Sequence, residues 1–205
     1  MFIVLGWVHS FVLPYLWFNC VTPDRLSRDP KGYIRRSVAT NSNTPRCALR
    51  RLARDRWVDV RWNVAVNLNT PRKTQKKLVL NGSEDFRKAI AIHPNTREYI
   101  LEELAFDREV DVRWNVAANP NTPAKVLAKL AGDNDMLVRL CVAKNPNTPG
   151  YILEKVADDR NRYIRKAVIN HAHILGKTLV KLSCDRDRYV RRAANIMESD
   201  FFRGR

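Results

Sequence analysis

The sequence predicts an all-α solenoid of about seven two-helix repeats with a 26-residue period. Arginine recurs at this constant interval, each time after a β-branched residue or Phe, as Arg35, Arg61, Arg87, Arg113, Arg139, Arg165 and Arg191. An acidic residue or Asn stands at a fixed distance before each of these arginines, as Asp29, Asp55, Asn81, Asp107, Asp133, Asp159 and Asp185. Asn-Thr recurs at the same interval, and Pro follows it in four of five copies. Self-similarity at a fixed period is the signature of a repeat protein.

Residues 1–18 include no Asp, Glu, Lys or Arg and are mostly apolar. A signal peptide is disfavoured because the segment has neither a basic start nor a small-residue cleavage site. A cap helix packed on the first repeat, a single membrane anchor and a wrongly assigned start codon stay open, although His9 and Pro14 interrupt a run that is short for a span. We assign residues 1–18 to this segment, 19–197 to the repeats and 198–205 to a C-terminal tail.

Each repeat is predicted to begin with a short helix. Thr44 is expected to cap it through its hydroxyl, and Pro45 to take the first helical position, where a missing N–H is no loss. The apolar residues Leu49, Leu52 and Ala53, with their counterparts in later repeats, follow the i, i+3, i+4 spacing of a helix with one buried face.

A second amphipathic helix is predicted after the Asp of each repeat, for example over Val112 to Ala117. Asn119 and Pro120 are expected to end it, with Asn in the left-handed C-cap conformation. Two such short helices cannot bury their apolar faces alone, so neighbouring repeats must stack. The strand signature of ordinary leucine-rich repeats is missing, which disfavours a β-lined horseshoe.

These residues resemble the variant leucine-rich repeat proteins, which are similar in style to HEAT-like repeats. The resemblance rests on Asn-Pro-Asn-Thr-Pro at 119–123 and 145–149, the Leu-x-x-Leu-Ala helix and Asp-x-x-x-x-Val-Arg. It implies a right-handed superhelix of α-helices alternating with short α or 3₁₀ helices, used for binding rather than catalysis. The iron–sulfur module of the founding type has no match, since only Cys20 lies near the start.

The Arg and Asp series predict a ladder along the stack. Each Arg is expected to pair with an Asp of its own or the adjacent repeat, which would satisfy the carboxylate and join the repeats. The predicted ladder comprises Asp55, Asp107, Asp133, Asp159 and Asp185 with Arg61, Arg113, Arg139, Arg165 and Arg191. The alternative is that the arginine row forms a track for phosphate groups.

The residue after each ladder Arg is a candidate for partner binding. In successive repeats it is Arg36, Trp62, Lys88, Trp114, Leu140, Lys166 and Arg192. If this helix lines the concave face, cations interleaved with aromatic rings are typical of a groove for nucleic acid or an acidic peptide. Asp59, Asp85 and Asp111 would oppose a polyanion there, and packing of both Trp side chains between repeats is the competing interpretation.

The net charge of +16 is concentrated at the two ends of the chain. Residues 21–80 carry 15 basic and 4 acidic side chains, residues 81–150 carry 9 and 10, and residues 151–205 carry 13 and 7. The excess is greatest in a basic patch predicted on two consecutive first helices, which comprises Arg50, Arg51, Arg54, Arg56, Arg72, Lys73, Lys76 and Lys77. Such a patch is suited to a phosphate backbone or an anionic membrane surface.

These features favour a non-catalytic binding scaffold with nucleic acid as the leading partner. The rival is a scaffold for an acidic protein, held at a membrane by residues 1–18. A HEAT-like DNA glycosylase is a remote third interpretation, which rests only on Trp114 beside Asp111. No catalytic residue, cofactor or metal site is expected, because the cysteines are isolated, no Gly-rich phosphate loop exists, and His93, His171 and His173 fall in loop positions. The lack of a disulfide framework favours the cytoplasm.

Overall fold

A computed structural model of the chain describes residues 21–203, with side chains described for 23–197. The apolar segment 1–18 lies outside the described residues. The described part consists of 14 α-helices that alternate between two types, and it contains no strand, which confirms the predicted all-α class. The first helices of the repeats are α1 (Val21–Leu26), α3 (Arg46–Leu52), α5 (Arg72–Leu80), α7 (Glu98–Leu104), α9 (Ala124–Leu130), α11 (Gly150–Val156) and α13 (Gly176–Ser183). The second helices are α2 (Gly32–Thr40), α4 (Val58–Val66), α6 (Glu84–Ile92), α8 (Val110–Ala118), α10 (Met136–Lys144), α12 (Arg162–Ile169) and α14 (Arg188–Arg203).

The chain divides into two compact units, Met1–Gly82 and Ser83–Arg205. In unit 1, α2 packs against α4, α3 contacts both of them, α1 contacts α2 and α3, and α5 contacts α4. In unit 2, the second helices stack in the order α6, α8, α10, α12 and α14. Each of α7, α9, α11 and α13 contacts the second helix on either side of it. Each unit is therefore a stretch of α-solenoid in which the second helices form a continuous stack.

The core of each repeat is formed by leucines of the first helix and β-branched residues of the second. Leu101 and Leu104 of α7 are fully buried, as are Val112 and Val116 of α8. Equivalent residues are buried in the neighbouring repeats, among them Leu49, Leu52, Val60, Val64, Leu127, Leu130, Val138 and Val142. The predicted i, i+3 spacing of apolar residues is confirmed. Burial of these side chains between repeats supplies the main driving force for stacking.

The threonine of each Asn-Thr pair binds the helix before it, not the helix after it. Thr44 Oγ1 donates to the Val38 carbonyl at 2.5 Å, and Thr122 Oγ1 donates to the Val116 carbonyl at 2.5 Å. The residue that precedes α3 is Pro45, and no side chain caps this helix. The prediction that Thr44 caps the first helix is therefore wrong. The hydroxyl instead adds a donor to a carbonyl in the last turn of the second helix, which also accepts from the N–H of the asparagine three residues later.

The asparagine that ends the second helices α2, α4, α8 and α10 is extended, not left-handed. Asn119 has φ −68° and ψ 125°, and no non-Gly residue in the described part has a positive φ. The predicted left-handed cap is therefore wrong. Asn119 Nδ2 instead donates to the carbonyls of Ala91 and His93 in the preceding repeat, at 2.7 and 3.0 Å. Its side chain joins two repeats, and this role does not require a special backbone conformation.

Candidate nucleic-acid interface

Among the described residues, five Arg–Asp pairs link consecutive repeats, each through two hydrogen bonds. In every pair Nε donates to one carboxylate oxygen at 2.5–2.8 Å, and Nη2 donates to the other at 2.8–3.4 Å. The side chains are only 5–17% exposed. The pairs are Arg35–Asp55 in unit 1, and Arg87–Asp107, Arg113–Asp133, Arg139–Asp159 and Arg165–Asp185 in unit 2. The partner of each Arg is thus the Asp of the next repeat.

Ladder arginines that follow an Asp in their own repeat also donate to the backbone carbonyl of that Asp. Arg113 Nη1 donates to the Asp107 carbonyl at 2.9 Å, and Arg139 Nη1 donates to the Asp133 carbonyl at 2.8 Å. One guanidinium therefore satisfies a carboxylate in the next repeat and a carbonyl in its own. Because these arginines are buried and fully engaged, the paired part of the row leaves no free guanidinium for phosphate.

The pKa values of the ladder aspartates follow from this arrangement. Burial alone would raise the pKa of Asp107, but hydrogen bonds from Arg87 and from the Glu109 N–H more than offset it, and the pKa is lowered. The pKa values of Asp55, Asp133 and Asp185 are lowered in the same way. The ladder is therefore most stabilising when its carboxylates are ionised.

The ladder has a gap in unit 1, at Arg61. Its Nη1 donates to the carbonyls of Asp55 and Arg56 at 2.7 and 3.1 Å, as in the complete pairs. The position that holds Asp in the complete pairs is occupied by Asn81, however, and Arg61 makes no ion pair within the described residues. Arg191, the last of the series, likewise donates to a carbonyl, that of Asp185 at 2.5 Å, and has no carboxylate partner among the described side chains.

Replacing Asn81 by Asp is expected to fill this gap and stabilise unit 1. A charged hydrogen-bonded pair contributes up to about 3 kcal/mol, but Asn81 is exposed and Arg61 is half-buried, so we expect a gain of about 1 kcal/mol. The gain would be measured as a higher urea midpoint of unfolding by circular dichroism. Asn81→Ala is the matched control, because it cannot accept from Arg61. Equal midpoints for the two variants would contradict the prediction.

A second ladder, made by side-chain amides, was not predicted from the sequence. Asn67 Nδ2 donates to the carbonyls of Ala39 and Asn41, each at 2.8 Å. Asn145 Nδ2 donates to the carbonyls of Ala117 and Asn119 at 2.7 and 2.9 Å. The signal for this amide ladder was present, since the asparagines at positions 41, 67, 119 and 145 keep the period of the repeats.

Histidine replaces asparagine at positions 93 and 171 of the same series. His171 Nδ1 accepts from the His173 N–H at 3.0 Å, so the proton of the neutral ring is on Nε2, which donates to the Asn145 carbonyl at 2.8 Å. The buried imidazole thus reproduces the amide contact with the preceding repeat. Within the described residues, no group of three His, Cys, Asp or Glu side chains is placed to hold a metal ion.

The basic patch lies on and just after α3 and on α5, two helices without acidic residues that both pack against α4. Arg51 does not contribute a free charge, because its Nη1 donates to Asp24 Oδ1 at 2.8 Å and to Ser27 Oγ at 2.6 Å. This contact lowers the pKa of Asp24. Lys76 is half-buried, whereas the other members of the patch are exposed, namely Arg50, Arg54, Arg56, Arg72, Lys73 and Lys77. Of these, Arg50, Arg54, Lys73 and Lys77 form no ion pair with any described residue.

The predicted row of cations and tryptophans on the second helices is interrupted by acidic residues in α6 and α8. Lys88 Nζ lies 2.8 Å from the Glu84 carboxylate and 3.3 Å from that of Asp111, and hydrogen bonds to these groups raise the pKa of Lys88. Trp114 is 42% exposed, while Trp62 is half-buried. Arg36, Lys166 and Arg192 are exposed. The positive charge of the row therefore lies in α2, α12 and α14.

The start of α12 and α14 carries an arrangement that we call the Arg–Tyr face, formed by Arg162, Tyr163, Arg188 and Tyr189. The Arg162 guanidinium lies over the Tyr163 ring, 4.9 Å from its centroid, and also 5.9 Å from the Tyr189 centroid. Arg188 lies 4.6 Å from the Tyr189 centroid. The face adjoins an open depression lined by Arg160, Arg165, Arg186 and Asp187, among others. Cations and rings thus alternate across two repeats.

The Arg–Tyr face was not predicted, although Arg162 and Tyr163 recur one repeat later as Arg188 and Tyr189. Tyr163 and Tyr189 occupy the position that holds Asp85 in α6 and Asp111 in α8. The same slot of the second helix therefore changes from acidic in the first repeats of unit 2 to aromatic in the last two. A comparison of the residues at this one position in all repeats would have revealed the Arg–Tyr face.

No helix among the described residues is long and apolar enough to cross a membrane.

Comparisons with known proteins support the fold. No family model matches the chain, and no curated protein matches it. A solved structure described as a leucine-rich repeat variant with a novel repetitive protein structural motif is similar, with a TM-score of 0.59 and 24% sequence identity. The match covers 87% of this chain and 71% of that one. The chain therefore has the fold of a variant leucine-rich repeat, as its sequence predicts.

Proposed function

We propose that the protein is a non-catalytic scaffold that binds a polyanion, with nucleic acid as the preferred partner. The observation that carries this proposal is the set of exposed cations at α3 and α5. Arg50, Arg54, Lys73 and Lys77 lie on or directly after two helices that contain no acidic residue, and none forms an ion pair with a described residue. Surfaces that bind no charged partner usually mix charges of both signs. A surface of one sign favours a partner with closely spaced charges of the other sign.

Nucleic acid fits the arrangement better than an acidic protein does. Phosphate groups repeat at short, regular intervals along a strand, so cations spread over two helices can bind several at once. A protein interface of comparable strength generally has a buried aromatic or Arg anchor surrounded by a polar rim. The basic patch has no exposed aromatic residue on α3 or α5. An acidic protein is therefore the second candidate, and we expect the protein to act in the cytoplasm.

The test is fluorescence anisotropy of the full chain with labelled single-stranded DNA, duplex DNA, RNA and polyglutamate. We expect nucleic acid to bind more tightly than polyglutamate, with log K falling linearly with log salt between about 50 and 200 mM. Arg50→Glu with Lys77→Glu should reduce the salt slope by about one to two and weaken all nucleic acids similarly. Vesicles containing anionic lipid, tested in parallel, distinguish a membrane partner.

Lys144→Glu with Lys155→Glu is the matched control, because it changes the net charge by the same amount at exposed positions outside the basic patch. This variant should keep the salt slope of the original protein. Equal losses in both double variants would mean that net charge alone governs binding, and the proposed site would be wrong. If polyglutamate binds as tightly as nucleic acid, the acidic-protein alternative replaces the proposal.

A further inference from the structure

The Arg–Tyr face presents two aromatic rings on consecutive repeats of unit 2. Tyr163 is 59% exposed and Tyr189 is 53% exposed, although both belong to a residue type that usually buries most of its ring. Neither ring packs into the core, which is formed by residues such as Ile164 and Val190 next to them in sequence. Two exposed rings at the same position of consecutive repeats form one aromatic surface that is accessible to a partner.

Each ring is held in position by the Arg that precedes it. Tyr163 Oη accepts from Arg162 Nη2 at 3.0 Å, and Tyr189 Oη accepts from Arg188 Nη2 at 2.7 Å. The guanidinium groups lie over the rings at distances typical of cation–π pairs. A ring fixed in this way loses little conformational entropy when a ligand binds. The face is therefore a preorganised surface for a flat group.

Cations lie along the same face, one helical turn from each ring. Lys166 follows Tyr163 by three residues on α12, and Arg192 follows Tyr189 by three residues on α14, so each pair shares a face of its helix. Both cations are exposed and form no ion pair with a described residue. Their spacing repeats with that of the rings. A ligand on this face would thus meet an aromatic ring and a cation in each of two repeats.

One acidic group, Asp187, lies beside the face, but its carboxylate is already engaged. It accepts from the backbone N–H groups of Tyr189 and Val190, at 2.8 and 3.3 Å, and from Arg162 at 3.4 Å. Asp187 thereby caps α14, and its charge is partly balanced by Arg162. The positive character of the face is kept by Lys166, Arg188 and Arg192.

We propose that the Arg–Tyr face binds single-stranded nucleic acid, DNA or RNA, by stacking unpaired bases on Tyr163 and Tyr189 while Lys166 and Arg192 contact the backbone phosphates. The inference rests on the proposed function and adds to it the strandedness of the partner and a second site. A ring–cation pair per repeat matches a ligand in which a flat base and a phosphate alternate. In a duplex the bases are stacked on one another and cannot reach the rings, so an unpaired strand fits this surface best.

The test compares strands that have the same phosphates but different bases. The probes are labelled oligomers of about 12 nucleotides: oligo-dT, oligo-rU, an abasic strand and a duplex. With the full chain, oligo-dT and oligo-rU are expected to bind at least about tenfold more tightly than the abasic strand, since stacking contributes roughly 5- to 150-fold per base. The comparison of dT with rU distinguishes DNA from RNA as the source of the bases.

Tyr163→Ala with Tyr189→Ala should lower the affinity for oligo-dT by at least about tenfold and leave the abasic strand unaffected. The salt slope should stay unchanged, because no phosphate contact is lost. Tyr163→Phe with Tyr189→Phe keeps both rings and should retain most of the affinity. Circular dichroism of each variant checks that the repeats remain folded.

Equal binding of oligo-dT and the abasic strand would overturn the stacking site and leave the proposed function intact. The same conclusion follows if the Ala and Phe variants bind alike. Tighter binding of the duplex than of oligo-dT would overturn the preference for a single strand. If none of the nucleic acids binds at low salt, the proposed function fails and the inference fails with it.

Discussion

Replacing Asp107 by Ala is expected to lower the free energy of unfolding by about 3–5 kcal/mol, the usual cost of removing one member of a buried ion pair. Asp107 accepts two hydrogen bonds from Arg87, whose side chain is only 8% exposed. The substitution leaves this guanidinium buried without its carboxylate. The loss would be measured from urea unfolding followed by circular dichroism at pH about 7. Asp111→Ala is the matched control, because the Asp111 carboxylate is 61% exposed and its removal should cost less than about 1 kcal/mol.

The pH dependence of this effect follows from the pKa of Asp107. That pKa is lowered in the folded protein relative to the value of about 3.9 in an unfolded chain. The stabilisation is therefore fully present above about pH 5 and is lost as the pH falls through the folded-state pKa. The original protein and Asp107→Ala should differ most near neutral pH and converge in acid. A difference that stays constant down to about pH 3 would show that the ion pair is not its source.

Replacing Asn145 by Ala is expected to cost about 1–3 kcal/mol, because it removes the amide donor from the buried Ala117 carbonyl and one of the two donors from the Asn119 carbonyl, which keeps the Thr122 N–H. The Asn145 amide donates to the preceding repeat, and its Oδ1 accepts from the Asn147 N–H at 2.9 Å. Asn147→Ala is the control at an exposed position, with an expected cost below about 1 kcal/mol. His171→Asn should be nearly neutral, since asparagine is the residue that the amide ladder uses elsewhere. Similar losses for Asn145→Ala and Asn147→Ala in thermal unfolding would contradict this role.

The period and the fold could be predicted because they depend on spacing alone. Seven arginines at one interval and the buried i, i+3 leucines are visible without knowing any contact. The partner of each Arg, in contrast, could not be predicted from spacing. The Asp before the Arg in its own repeat and the Asp of the next repeat are equally available in the sequence. The structure uses both, the first through its carbonyl and the second through its carboxylate. Thr44 and Asn119 were misassigned for a related reason, since a propensity to bond backbone groups does not say which helix supplies them.

Whether each predicted binding residue is free to bind a partner depends on contacts with residues that are distant in the sequence. Arg51 is engaged by Asp24, which lies one repeat earlier on α1, and Lys88 is engaged by Asp111 on the next second helix. Neither pairing can be read from local charge. The exposure of Tyr163 and Tyr189 could not be predicted either, because tyrosine is intermediate between the residue types that are usually buried and those that are usually exposed. Their exposure is decided by the packing of α12 and α14.

The two ladders join residues at constant separations in the sequence. This constancy also restricts how such a chain can change in length during evolution. Arg113 meets the carboxylate of Asp133 ahead of it and the carbonyl of Asp107 behind it, and the amide of Asn145 meets the carbonyl of Asn119, one full period behind. Duplication or deletion of one whole period restores every one of these contacts at the new junction. A change in length within a helix would instead turn the ladder residues away from the faces on which they meet. Gain or loss of whole repeats is therefore the change in length that preserves both ladders. It would also let other positions of the repeat change their side-chain chemistry while the ladder residues stay the same, as at the position that holds Asp111 in α8 and Tyr189 in α14.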